Sequence, residues 1–158
     1  MNPHIKFTLN GKLVTLEADR QRPLLWVLRT DFGLTGVKYA CGEAYCGSCR
    51  VLVDNVALPS CQLTLADVEG KSVVSIEGLA RNHTLHPVQQ AFIDQDALQC
   101  GYCTPGMILT AVALLNKNPS PSEAEIVEEM DNNLCRCGSY KRIVKAIKSA
   151  ANAIMDDH

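Results

Sequence analysis

Cys41-Gly42-Glu43-Ala44-Tyr45-Cys46-Gly47-Ser48-Cys49 is a C-x4-C-x2-C run, and Cys61 completes a quartet after eleven intervening residues. This is the thiolate spacing of a [2Fe–2S] site, in which two irons share four cysteine sulfurs. The chain's other four cysteines form a second quartet. Cys100 and Cys103 make a C-x2-C pair, Cys135 and Cys137 a C-x-C pair, and no cysteine is left over. Two complete quartets predict two such clusters in one chain. Two one-electron centres with no general base or nucleophile beside them predict an electron conduit rather than a substrate-transforming site.

Other uses of cysteine compete with this one. A secreted disulfide framework fits poorly, because half of the chain has strong helical periodicity and the polar Met1–Lys12 segment lacks the apolar core of an export signal. Structural zinc is a stronger rival at Cys100-x2-Cys103, a familiar zinc half-site, but the C-x4-C-x2-C loop is unusual for zinc. A Cys100/Cys103 redox pair would leave Cys135 and Cys137 without a role. Gly42 and Gly47, each beside a cysteine, let the backbone wrap closely around a cluster. Cys103 directly precedes an expected helix N-terminus, whose free N–H groups and positive dipole end favour thiolate.

Composition is that of an ordinary globular protein, with 47% apolar and 20% charged residues in 158. A net charge of −2 shows no basic footprint for nucleic acid. No segment approaches the roughly 20 apolar residues that span a bilayer. Two blocks differ in periodicity. In the first, Ile5, Phe7 and Leu9 alternate, Asn10-Gly11 makes a hairpin turn, and Val14 and Leu16 resume the alternation. Pro23 opens a short helix that buries Leu24, Leu25, Val27 and Leu28 and ends at Gly33, with Trp26 assigned to the core. A glycine-rich cysteine loop follows, then strands at Arg50–Asp54 and Val73–Ile76. The second block is helical. Pro87 starts one helix, and Thr104 caps a second, whose first turn holds Pro105. Ser122-x-x-Glu125 is a capping box for a third with Ile126, Val127 and Met130 inward, and Ser139 caps a fourth. The expected fold class is α+β: an N-terminal plant-type ferredoxin β-grasp domain over residues 1–77, then a small four-helix bundle domain over 78–158.

Three strings together resemble a known family. Cys41-Gly42-x3-Cys46-Gly47-x-Cys49, Gln99-Cys100-Gly101-Tyr102-Cys103-Thr104-Pro105-Gly106-Met107 and Leu134-Cys135-Arg136-Cys137-Gly138 look like the small iron–sulfur subunit of the molybdenum hydroxylases, the xanthine oxidase family. The resemblance covers nearly the whole chain. It implies two [2Fe–2S] clusters, with Cys41, Cys46, Cys49 and Cys61 holding a distal one. Cys100, Cys103, Cys135 and Cys137 would hold one proximal to a molybdopterin cofactor in a separate large subunit. Gln99 and Cys137 would face that pterin. Electrons would leave through an FAD subunit, a haem protein such as cytochrome c, or another acceptor, and a free-standing two-cluster ferredoxin shuttle is the alternative. The charge and the lack of a long apolar segment leave no nucleic acid and no direct membrane insertion to expect. The expected location is the cytoplasm, soluble or peripheral to the inner membrane, unless an exported partner carries the chain to the periplasm. Arg50 and Ala44 depart from the family pattern, where Thr and Gly are commoner. Tyr102 is expected to pack over a cluster, and Lys141, Arg142, Lys145 and Lys148 to form a solvated helix face.

Overall fold

The computed structural model describes residues 3–156; Met1, Asn2, Asp157 and His158, the outer ends of the two expected domains, lie outside the described residues. Strands β1 (His4–Leu9) and β2 (Lys12–Glu17) pair antiparallel around the Asn10-Gly11 turn, with Ile5 opposite Leu16 and Phe7 opposite Val14. Both turn residues have positive φ, +50° and +81°, the geometry that an Asn-Gly hairpin favours. Alternation on β1 sends Ile5, Phe7 and Leu9 inward, and each side chain so buried contributes about 1.5–3 kcal/mol.

Helix α1 (Leu24–Thr30) covers that face with Leu24, Leu25, Val27 and Leu28. Trp26 does not join them and is 42% exposed. At 100° per residue its neighbours at 24, 25, 27 and 28 take the inward half of the helix, which leaves position 26 on the opposite side. Its indole packs instead on Tyr39, with ring centroids 5.1 Å apart.

Strand β3 (Arg50–Val53) turns through Asp54 and Asn55 into β4 (Val56–Pro59), a strand that the sequence pattern does not reveal. A short helix α2 (Leu65–Val68), closed by a Thr64/Asp67 capping box, is likewise absent from the sequence expectation. The strand expected at Val73–Ile76 is β5 (Ser72–Val74), and Ile76–Gly78 forms a 3-10 turn. The sheet order is β2-β1-β5-β3-β4, mixed because β5 runs parallel to β1 and antiparallel to β3.

Four helices follow: α3 (Pro87–Asp94), α4 (Thr104–Lys117), α5 (Glu123–Met130) and α6 (Tyr140–Asp156). α3 starts from a His86/Gln89 capping box in which His86 Nδ1 accepts the Val88 N–H, so this histidine is a helix cap. The Ser122/Glu125 box opens α5 as expected. Val127, however, is 53% exposed, because Ile126 and Met130 already fill the inward stripe. Thr104 is the first helical residue of α4 rather than its cap, and Cys103 takes the cap position. α4 is apolar on nearly every side, which suits a central helix. Met107, Leu109, Ala111 and Leu115 are buried in one core with Phe92, Ile126, Ile143 and Ile147. Leu52 of β3 and Ala57 of β4 belong to that same core, so the helices pack directly against the sheet.

Candidate metal centres

The loop between α1 and β3 carries Cys41, Cys46 and Cys49 of the first quartet, and Cys61 follows β4. The loop's φ values at Gly42 (+73°), Ala44 (+64°) and Gly47 (+71°) curl the backbone so that N–H groups point inward. Cys41 Sγ accepts the N–H of Glu43 at 3.3 Å and of Cys46 at 3.4 Å. Burial pushes the Cys41 thiol up, but these donors outweigh it and leave the group lowered to about 7. Cys49 lies deeper, beneath the sheet edge, and burial pushes its thiol up to about 12. Ser60 closes the other side by donating both its N–H, at 3.2 Å, and its hydroxyl, at 2.7 Å, to the Cys49 carbonyl. That brings Cys61 beside Cys49.

The second quartet straddles the start of α4 and the α5–α6 connection. Cys135 is buried, Cys103 and Cys137 are half-buried, and Cys100 is exposed. Burial raises the Cys135 thiol, but the backbone N–H of Ser139, the Cys103 thiol and the N–H groups of Cys137 and Gly138 turn the balance and lower it. Cys103 is pushed up to about 12, by burial first and then by its hydrogen bond to Cys135. Successive N–H groups converging on one sulfur form an anion-binding nest. Gln99 Nε2 donates to the Cys137 carbonyl at 3.4 Å, so the two residues expected on one face are neighbours.

Thiols neighbour one another within each quartet: Cys41 with Cys46, Cys49 with Cys61 and Cys46, and Cys103 with Cys135 and Cys100. Among the described residues no three Cys, His, Asp or Glu side chains gather as ligands of one ion.

The two quartets meet at a seam that no motif announced. The Leu134 N–H donates to the Cys46 carbonyl at 2.9 Å, joining the residue before Cys135 to a cysteine of the first loop. Gly106 of α4 lies so close to Gly47 that an added Cβ would stand 2.1 Å from the Gly47 carbonyl oxygen. Asn133 fills the next position, its Oδ1 accepting from Thr110 at 3.2 Å. Tyr102 packs outward, donating its hydroxyl to the Tyr39 carbonyl, with Lys38 Nζ 5.9 Å from its ring centroid. Arg50, the departure after Cys49, donates to the Ala57 carbonyl at 2.9 Å, and burial lowers its pKa. On α6, Arg142 pairs with Asp96 and Lys148 with Glu123, as a solvated face would.

Residues 7–75 match the 2Fe-2S iron-sulfur cluster binding domain, and residues 75–148 match the [2Fe-2S] binding domain. The chain is 47% identical to one of the subunits of nicotinate dehydrogenase from Pseudomonas putida over 151 residues, 96% of each. It is 49% identical to the alpha chain of isoquinoline 1-oxidoreductase from Brevundimonas diminuta, covering 93% of this chain and 97% of that one. The chain belongs to the small iron–sulfur subunits of the xanthine oxidase family. The crystal structure of quinoline 2-oxidoreductase from Pseudomonas putida 86 contains a chain that superposes with a TM-score of 0.92 at 39% identity, covering 98% of this chain and 96% of that one. Aldehyde oxidoreductase from Desulfovibrio desulfuricans superposes at 0.93 and 36% identity, over 99% of this chain but only 18% of that longer one.

The residues of this iron–sulfur protein suit the group its domains bind. Eight thiols in two groups, with backbone N–H donors on Cys41, suit a dinuclear core that takes two thiolates per iron. Three buried polar atoms near the cysteines, Arg50 Nε, Asn133 Nδ2 and Ser139 Oγ, have no partner among the described residues. Orphaned atoms of this kind mark a missing acceptor. No helix among the described residues is long and apolar enough to cross a membrane.

Proposed function

We propose that this chain moves electrons singly from a molybdopterin cofactor in a large partner subunit, through two [2Fe–2S] clusters, to an acceptor outside it. The observation that carries the reading is the seam: two thiolate nests held against each other by the Leu134–Cys46 hydrogen bond and the Gly47–Gly106 contact. Cys41, Cys46, Cys49 and Cys61 hold the distal cluster; Cys100, Cys103, Cys135 and Cys137 hold the proximal one. The clusters, when bound, supply two one-electron sites. The chain's own residues do the rest. Backbone N–H groups stabilise the negative charge on sulfur, burial of Cys46, Cys49 and Cys135 keeps water away, and the seam fixes the spacing of the two loops.

Gln99 and Cys137, neighbours close to Cys100, form the face toward the pterin. The sheet order β2-β1-β5-β3-β4 with α1 across it supports a ferredoxin-type β-grasp domain over 1–77, and the four helices support a small helical domain over 78–158. A large molybdopterin-binding subunit is the principal partner. An FAD subunit or cytochrome c takes the electrons away, with no nucleic acid and no membrane insertion involved, and the complex works in the cytoplasm or against the inner membrane. A free-standing ferredoxin shuttle is disfavoured, because the relatives are named as subunits and the aldehyde oxidoreductase carries this unit within one longer chain.

Metal analysis and electron paramagnetic resonance of the dithionite-reduced protein test the proposal. About four irons per chain and two distinct paramagnetic species are expected. Cys137→Ser should disturb one species and slow its reduction by substrate while leaving the other intact. Zinc in place of iron, or a single species after full reconstitution, overturns the reading.

A further inference from the structure

Ser139 sits at the cap position before α6, where a serine hydroxyl ordinarily accepts an N–H from the first turn. It makes no such bond. The N–H groups of Arg142 and Ile143 both go to the Ser139 backbone carbonyl, each at 3.0 Å. The hydroxyl therefore does not cap the helix, yet the residue is only 3% exposed and its Oγ meets no partner. A buried hydroxyl without an acceptor costs about 1–3 kcal/mol, a penalty that native folds ordinarily avoid. Its surroundings name the acceptor. Ser139 lies four residues after Cys135 and two after Cys137, in a connection that folds back on Cys135 through the Gly138 N–H, 3.3 Å from the Cys135 carbonyl, so its unpartnered hydroxyl sits within the loop that carries two of the cluster's thiols. Tyr140 is not that acceptor: its hydroxyl oxygen receives the Cys135 N–H at 2.7 Å, and Ser139 Oγ makes no bond to it.

We infer that the Ser139 hydroxyl donates a hydrogen bond to sulfur of the cluster held by Cys135 and so raises the reduction potential of that cluster alone. The inference rests on the two-cluster reading above. Reduction adds one electron, delivered from the molybdenum side, and its charge spreads over the cluster's sulfurs. The hydroxyl proton stays on its oxygen, and only its hydrogen bond strengthens. A donor that binds the reduced form more tightly than the oxidised form shifts the couple upward. Ser139 is therefore a tuning residue that keeps the proximal cluster reducible, without ligating iron itself.

An EPR-monitored redox titration of the intact complex tests this, with Ser139→Ala and Ser139→Thr beside the wild type. Ser139→Ala should disfavour reduction of the proximal cluster about tenfold, a fall of about 59 mV for a one-electron couple. The distal cluster should titrate as in the wild type. Ser139→Thr keeps the hydroxyl and should keep the wild-type proximal potential. An unchanged or raised proximal potential in Ser139→Ala, or an equal shift of both clusters, overturns the inference. Should Ser139→Ala lose the proximal signal, Ser139→Thr decides: a wild-type potential supports the hydroxyl's role, and a fall of the tenfold size refutes it. A wild-type complex with one paramagnetic species would instead sink the two-cluster reading, so the two failures stay distinguishable.

Discussion

Replacing Gly106 by alanine tests the seam most directly, because two effects of opposite sign compete there. Gly106 lies inside α4, where glycine costs about 0.5–1 kcal/mol relative to alanine. An ordinary helix would gain that amount on Gly106→Ala. At this site the new methyl would stand 2.1 Å from the Gly47 carbonyl oxygen and 3.3 Å from the Ser48 Cα. Carbon meets a carbonyl oxygen no closer than about 3.3 Å, so α4 and the cysteine loop must separate by roughly 1.2 Å. The obstacle is backbone held by the Arg50 N–H at 3.2 Å, and no side chain can swing aside to relieve it. Overpacking of this kind costs about 1–3 kcal/mol and cancels the helix gain at its low end. A net loss of about 1 kcal/mol is expected, or some 2–4 °C in Tm for a chain of this size. Thermal unfolding followed by far-ultraviolet circular dichroism, at matched iron content, measures it. Hydrogen exchange at the Leu134 amide should quicken as its bond to Cys46 opens. A Tm equal to or above the wild type would refute the argument, since it would mean that α4 and the loop do not touch as described.

Trp26→Ala should cost under about 1.5 kcal/mol in urea unfolding, because the indole is 42% exposed and stacks on Tyr39 at the surface; a loss of 3 kcal/mol or more would return it to the core. Ala44→Gly should raise Tm by about 2–4 °C, because alanine at φ +64° bears roughly 1 kcal/mol of left-handed strain that glycine does not. Asp31 is held below the usual carboxylate range by its hydrogen bonds from Arg22, at 3.0 and 2.6 Å, so the pair's contribution is complete above the ordinary value of 3.8 and fades as pH falls through the lower folded value. Asp31→Asn should cost under about 1 kcal/mol at pH 7 and flatten the acid limb of the stability curve; an unchanged limb would show the pair idle.

Elements with strong local signals were legible in the sequence: the Asn10-Gly11 hairpin, the α1 stripe, the Ser122/Glu125 box. Those that escaped lack such signals. β4 is four residues long, begins with exposed Val56, and follows an Asp54-Asn55 turn in place of Asn-Gly. α2 is a single turn. Trp26 departs from expectation because its hydrophobicity points inward while its helical angle points outward, and Thr104 because a cysteine seldom occupies a cap. Ser139 was expected to cap with its side chain and caps only with its carbonyl. At the candidate site, cysteine spacing groups the sulfurs into two quartets, and Cys41 neighbours Cys46 as Cys49 neighbours Cys61 in the folded chain. The seam was not legible, because Gly47, Gly106, Asn133 and Leu134 meet only after the sheet and the helices pack, and single glycines carry no mark of what will lie opposite them.

Burial sorts the cysteines in a way that bears on direction. Cys46, Cys49 and Cys135 are the buried ones, and the hydrogen bond across the seam runs from the neighbour of Cys135 to Cys46 itself. Cys100 is exposed beside Gln99, while Cys41 is half-buried in a loop whose Tyr45 stands in solvent. On the proposed reading, the inward sulfurs serve transfer between clusters, where a dry, fixed gap matters. The outward sulfurs serve exchange with partners, where access matters. A shuttle ferredoxin would need only the second property. A seam closed by two facing glycines and a backbone hydrogen bond, at the expense of helix propensity in α4, is the mark of a chain whose two centres must keep a constant separation.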